Sequence, residues 1–177
     1  AVCDACSSRR FRRAKLGVSG VAEELELLTR RPVTEITADD EIDSVDTDLT
    51  VGTEAVLHRI SAADAVAFLD FDQELLAPRY RAAEEAMALL VRASRIVGGR
   101  ANSGRVIVQT RVPDHPVLRA AVNGDPGSLA RTELDIRRQL RQPPEMNWAI
   151  VSGSAAEEFV QKIVVADGLE IMGPYEG

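Results

Sequence analysis

Cys3 and Cys6 stand in a C-x-x-C pair near the start of the chain. Two thiolates at this spacing grip one tetrahedral zinc from a tight turn, as in a zinc ribbon. A complete structural site takes four ligands, and the only histidines, His58 and His115, are far away in sequence. The pair is therefore half a zinc site, its other half expected before residue 1, or a pair of ordinary thiols. A redox C-x-x-C usually opens a helix, and here a strongly basic run follows: Arg9, Arg10, Arg12, Arg13 and Lys15. Such a cluster is what phosphate contacts require, and it is also what a solvated basic face looks like. A third group lies mid-chain, where the apolar run 62–71 ends in Asp70 and Asp72. In open α/β sheets ligands sit at the carboxyl ends of strands. Acids at that place also cap the turn that follows.

The totals bound the rest. The chain has 177 residues, 45% of them apolar and only 4% aromatic, so its core is built from Ala, Val, Leu and Ile. The net charge of −7 does not mark the whole as a nucleic-acid binder, though it leaves room for a local basic face. Six acids crowd positions 38–48. The spacing lacks the central glycine and terminal glutamate of an EF-hand, so a solvated acidic loop is expected. No run approaches the ~20 apolar residues of a membrane helix, and no signal segment opens the chain. The cytoplasm is the expected compartment. No phosphate loop of the G-x-x-x-x-G-K-[ST] type is present. The first residue, Ala1, and the ending Gly-Pro-Tyr-Glu-Gly suggest a piece of a longer protein.

These residues must be positioned by alternating strands and helices. A helix over 17–31 is expected, with Ser19 as its cap, Glu23 and Glu24 in its first turn, and Val21, Leu25 and Leu28 on its buried face. Strands follow at 33–37 and 49–54, then a short helix at 55–60. The nearly unbroken apolar run 62–71 reads as a central strand buried on both faces of a parallel sheet. A helix over 79–97 carries Ala83, Ala86, Leu90, Ala93 and Val97 at helical spacing. A strand over 105–110, a helix over 117–122 after the turn 113–116, and a helix running to Arg141 come next. Pro143-Pro144 marks the best domain boundary. Beyond it a strand at 146–151, a helix at 155–165 and a strand at 169–172 are expected. Alternation of this kind predicts an α/β fold with a mainly parallel sheet.

The order of these segments resembles the primosomal protein N′ (PriA) family of bacterial replication-restart proteins. The resemblance rests on Cys3/Cys6, the stretch 20–28, Val51-Gly52-Thr53, Leu69-Asp70-Phe71-Asp72, Tyr80-Arg81-Ala82-Ala83-Glu84, Gly104 with Val108-Gln109-Thr110, Pro113-Asp114-His115-Pro116, Glu133 with Arg137 and Pro143-Pro144, and Gly173-Pro174. It implies three parts: the end of a zinc-ribbon segment at 1–15, a RecA-like second helicase lobe at 16–142, and the start of an α+β C-terminal domain at 143–177. It also implies DNA and other primosome proteins as partners, and zinc as a cofactor held in part by Cys3 and Cys6. Arg9, Arg10, Arg12, Arg13 and Lys15 are then the DNA-binding candidates, with Arg137, Arg138 and Arg141 behind them. In active members the Gly-Thr turn leads into a Lys-Gly motif, and two arginines near the Gly-rich turn reach ATP. Here the first run is Gly52-Thr53-Glu54-Ala55-Val56-Leu57-His58-Arg59, and Ile96 and Gly99 fall at the arginine positions. The resemblance is thus to an actinobacterial-type branch with degenerate helicase motifs, and it implies fork binding and primosome assembly without catalysis. If ATP is bound, Gly52, Thr53, Asp70, Arg95 and Arg100 are the candidates. The alternatives are an active ATP-dependent 3′-5′ DNA helicase using Arg95 or Arg100, and a structural α/β domain that binds a protein partner through the acidic loop.

Overall fold

The computed structural model describes residues 17–38, 47–163 and 167–173. Two compact units divide the chain, Ala1–Ala130 and Arg131–Gly177.

Among the described residues the first unit holds two parallel strand pairs. β1 (Val33–Ile36) pairs with β2 (Leu49–Gly52), with Val33 opposite Leu49 and Ile36 opposite Gly52. β3 (Ala65–Phe68) pairs with β4 (Arg105–Val108), with Ala65 opposite Arg105 and Phe68 opposite Val108. Parallel strands cannot be joined by a hairpin, so each pair needs a long crossover. For β3 and β4 that crossover is α4 (Ala82–Ile96), entered through the short α3 (Asp72–Leu75) and left through a 3-10 turn at Gly99–Asn102. Helices packed against parallel strands are the α/β arrangement that the alternation predicted.

α1 (Val18–Thr29) lies on β1 and β2. Its start differs from expectation. Gly17 is the cap residue, and Ser19 instead donates a 2.8 Å hydrogen bond to Glu35 Oε2 on β1. Glu23 and Glu24 lie past the first turn, and no acid occupies it. Glu26 makes a second tie by accepting from the Val33 backbone N–H at 3.1 Å. Only Ala22 is buried on α1, and Leu28 is 74% exposed. The covered face is shorter than the periodicity predicts because β1 and β2 are only four residues long.

The run 62–71 departs most from its expectation. Only Ala65–Phe68 is strand. Val66, Phe68, Val106 and Val108 turn inward and pack on the core, while Ala65, Ala67, Arg105 and Ile107 face outward. Sequence alone could not tell a strand buried twice from one covered once, because alanine and leucine suit either side.

α4 is the packing centre. Its inward stripe is Ala82, Ala86, Met87, Leu90, Ala93 and Ile96. One cluster joins Ala86, Met87 and Leu90 to Phe71, Leu75, Val117, Leu118, Ala120 and Leu129. A second joins Ala93 and Ile96 to Leu57, which belongs to α2 (Val56–Arg59). Phe68 and Phe71 meet at a tilted 4.8 Å between ring centroids, within the range aromatic pairs favour. α5 (Pro116–Asn123) begins as the turn before it predicted. Pro116 stands at its start, His115 Nδ1 accepts from the Val117 N–H at 3.3 Å, and Gly124 closes it with a left-handed φ of 65°.

α6 runs over Pro126–Gln139, and the division between the units falls within it. On it Leu129 is buried, whereas Leu134, Ile136 and, just past its end, Leu140 are exposed. In the second unit the described residues contain α7 (Ala156–Lys162) and no strand. The strands expected at 146–151 and 169–172 are not formed. Their alternating apolar residues have no partner strand among the described residues, and a strand without a partner leaves its backbone groups unpaired. Trp148 instead donates from Nε1 to the Arg141 carbonyl at 3.3 Å, and Arg141 pairs with Glu170 at 2.8 Å.

Gly52 shows how tightly the first strand pair is built. A Cβ on it would stand 1.9 Å from the Ile36 carbonyl oxygen and 2.9 Å from its carbon. Those are backbone atoms and cannot swing aside. Gly52→Ala is expected to lower stability by about 1–3 kcal/mol, read as a shift in the urea midpoint. An unchanged midpoint would show that the strands can part without cost.

Candidate functional site

Two places at the carboxyl ends of strands gather polar side chains. The first follows β3 and β4. Asp70 takes a left-handed φ of 57°, a conformation Asp tolerates better than most residues. Its backbone N–H donates to Gln109 Oε1 at 3.3 Å, and its Oδ2 accepts from Gln73 Nε2 at 2.9 Å. Phe71 N–H donates to the Gln109 carbonyl and Gln109 N–H to the Phe68 carbonyl, at 3.0 and 2.9 Å, so the two strand ends stay zipped past the ladder. Asp72 then clamps the loops together. Its Oδ1 accepts from Thr110 Oγ1, and both carboxylate oxygens accept from the Arg111 backbone N–H at 3.1 and 3.2 Å. Thr110 Oγ1 in turn accepts from Val112 N–H at 3.0 Å. The Asp72 carboxylate thus joins the start of α3 to the loop after β4. A few residues on, Arg79 ties Glu74 at 2.6 Å to Glu85 at 3.1 Å, and Arg81 pairs with Glu84 at 2.7 Å. These pairs are exposed and hold the approach to α4 with little net energy.

The second place follows β2. Thr53 is exposed, and its backbone N–H donates to the Ile36 carbonyl at 3.3 Å. Beyond it a cleft of about 390 Å³ is lined by Ala38, Thr53, Glu54, Ala55, His58 and Arg59. Arg59 reaches the Ala38 carbonyl at 3.5 Å, at the limit of a hydrogen bond. Arg92 of α4 comes down on this side, with its Nη1 2.8 Å from His58 Nδ1. Arg95, one turn further along α4, is exposed.

The expected nucleotide residues therefore fall into two groups. Gly52 and Thr53 lie at the end of β2, and Asp70 at the end of β3, where it is engaged with Gln73 and Gln109. Arg95 stands on the outer face of α4. The side chain of Arg100, in the 3-10 turn, lies outside the described residues, as do Cys3, Cys6, Arg9, Arg10, Arg12, Arg13 and Lys15. Ile96 is buried with Leu57 and Ala93, and Gly99 has a left-handed φ of 60°. The His58–Arg92 contact was not legible in the sequence. The two residues are 34 positions apart, and each sits inside a run that reads only as helix.

The Asp72 clamp makes a distinct prediction. Asp72→Ala leaves Thr110 and the Arg111 N–H without their acceptor, and a hydrogen bond to a charged group contributes about 1.5–3 kcal/mol. Denaturant unfolding of this variant should show a loss of that size. A loss below about 0.5 kcal/mol, the low end for a single hydrogen bond, would mean that water replaces the clamp.

No family profile matches the chain. Individual relatives do. The chain is 29% identical to the "Probable replication restart protein PriA" of Mycobacterium leprae, over 98% of its own length and 28% of that protein. It is 25% identical to the "Replication restart protein PriA" of Haemophilus influenzae, over 71% of its length and 19% of the relative. A shorter stretch of 73 residues is 40% identical to the protein of that name in Treponema pallidum. The chain spans under a third of the length of these curated relatives. The segment order read from the sequence and the relatives found by comparison agree, and the chain is similar to a segment of these PriA proteins.

Proposed function

We propose that the chain works in bacterial replication restart as part of a primosome assembly factor. In this reading it binds DNA at stalled or abandoned forks, together with other primosome proteins, and unwinds nothing itself. The observation that carries the reading is the similarity to PriA spread over 98% of the chain. The basic run Arg9, Arg10, Arg12, Arg13 and Lys15 supports contact with phosphates, since it concentrates five cations in an otherwise acidic protein. Cys3 and Cys6 would supply two of the four thiolates or imidazoles of a structural zinc.

The absence of unwinding is supported by packing. Phosphoryl transfer is helped by a planar guanidinium fork at the phosphate oxygens. Of the two positions where the family resemblance expects such forks, one is Ile96, buried at 8% exposure in an apolar cluster. The other is Gly99, which has no side chain to offer. In this reading ATP is neither needed nor turned over.

Two measurements decide between this and an active helicase. Binding of forked and single-stranded oligonucleotides should weaken linearly in log–log form as salt rises. Binding without a salt slope would exclude phosphate contact and favour a protein-binding domain. DNA-stimulated ATP hydrolysis by the full-length protein should stay at background. Turnover that Arg100→Ala abolishes would overturn the non-catalytic reading.

A further inference from the structure

The asparagines of the chain are Asn102, Asn123 and Asn147, and only Asn123 is followed by glycine. The carbonyl of an asparagine side chain lies within reach of the backbone nitrogen of the next residue. A side chain on that next residue hinders the attack. Ser103 and Trp148 carry one, and Gly124 does not. Asn102 is also packed over Gly98, its Nδ2 only 2.1 Å from where a Cβ on that glycine would stand.

Asn123 ends α5, and it is exposed together with Gly124 and Asp125. Val122 before it is 79% exposed. A Cβ built on Gly124 would meet nothing within 4 Å, so the site has room for a ring. Two hydrogen bonds close the helix there. Gly124 N–H donates to the Ala121 carbonyl at 3.1 Å, and Asp125 N–H to the Ala120 carbonyl at 2.9 Å. With the left-handed Gly124 this is a glycine-based helix stop. Asp125 then starts α6, where its Oδ1 accepts from the Ser128 N–H at 3.1 Å. Val117, Leu118 and Ala120 of α5 share one apolar cluster with Leu129 of α6. The length of backbone between Asn123 and Asp125 is therefore fixed by packing on both sides. Exposed helix ends open at far lower free energy than the whole fold, and each opening frees the Gly124 nitrogen from Ala121.

We propose that Asn123-Gly124 is a site of spontaneous covalent modification that loosens the joint between α5 and α6. The Gly124 nitrogen gives up its proton to hydroxide and attacks Asn123 Cγ. The Cγ–Nδ2 bond breaks and ammonia leaves, closing a five-membered succinimide. Water is the only other reactant, and nothing is oxidised or reduced. Hydrolysis of the bond from the ring nitrogen to Cγ gives aspartate at position 123. Hydrolysis of its bond to the backbone carbonyl carbon gives isoaspartate, with the chain running through the side chain and the α-carboxylate free. Aspartate puts a negative charge at the end of a helix, where the dipole disfavours it. Isoaspartate adds one carbon to the main chain and moves Asp125 out of step with Ala120 and Ser128. Its free α-carboxylate is the group that an isoaspartyl carboxyl methyltransferase takes.

The test ages the whole chain in mildly alkaline buffer, beside an Asn123→Gln variant whose longer side chain disfavours the ring. Peptide mass mapping follows the change from amide to carboxylate, and methyl incorporation by an isoaspartyl carboxyl methyltransferase reports isoaspartate. Product should collect at Asn123 before Asn102 or Asn147, and faster as pH rises. The folded chain should react no more than about tenfold slower than the chain in denaturing guanidinium chloride, which corresponds to about 1.4 kcal/mol of local opening. Aged wild type should show a lowered urea midpoint, while aged Asn123→Gln keeps that of fresh protein. Protection well beyond tenfold overturns the site, because the helix stop then shields it. Earlier product at Asn102 or Asn147 overturns the choice of Asn123. Modified protein with an unchanged midpoint overturns the loosening of the joint.

Discussion

The first unit depends on how closely α4 can lie to the strands it connects. Parallel strands need a crossover helix, and that helix must come down on the sheet it spans. Ala86 and Ala93 are both fully buried. Their small side chains let the helix backbone approach, and Met87, Leu90 and Ile96 fill the space beside them. Both apolar clusters of the unit are built on this stripe. Replacing either alanine by a larger residue would push the helix off β3 and β4 and separate the clusters, since close-packed interiors yield little.

The polar contacts are arranged around that packing. Asp72 and Gln109 fasten the strand ends on one side of α4. On the other side the packing of Leu57 positions α2, and through it the His58–Arg92 pair. The same helix therefore buries one face, anchors the turns at its start through Glu84 and Glu85, and carries Arg92 and Arg95 near its end. Acids early and bases late in a helix also suit its dipole.

Much of this was legible in the sequence, for reasons that differ by element. The repeat of Ala83, Ala86, Leu90 and Ala93 gave α4 away because that spacing fits one face of a helix and not a strand. β1, β2 and β4 were visible as short β-branched runs between turn signals. His115-Pro116 and Gly124 marked both ends of α5. What failed was whatever depends on a distant partner. Ala62–Phe71 has the composition of a twice-buried strand, but the number of covered faces is set by neighbours, not by composition. Ser19 looks like a cap until Glu35 is known to lie opposite it. The segments 146–151 and 169–172 alternate correctly for strands, yet nothing in a single stretch states that a partner is present. At the sites the same limit applies. Asp70 and Asp72 could be placed at a strand end from sequence. Their partners Gln73, Gln109, Thr110 and Arg111, which make this corner a clamp, could not.

Ile96 carries a consequence for what its position can hold. It fills a three-residue apolar cluster with Leu57 and Ala93. A guanidinium entering there would be an unpaired charge in a low-dielectric pocket, at a cost of several kcal/mol. The residue at this position is governed by packing. Placing a cation at position 96 would require Leu57 and Ala93 to be rebuilt around it.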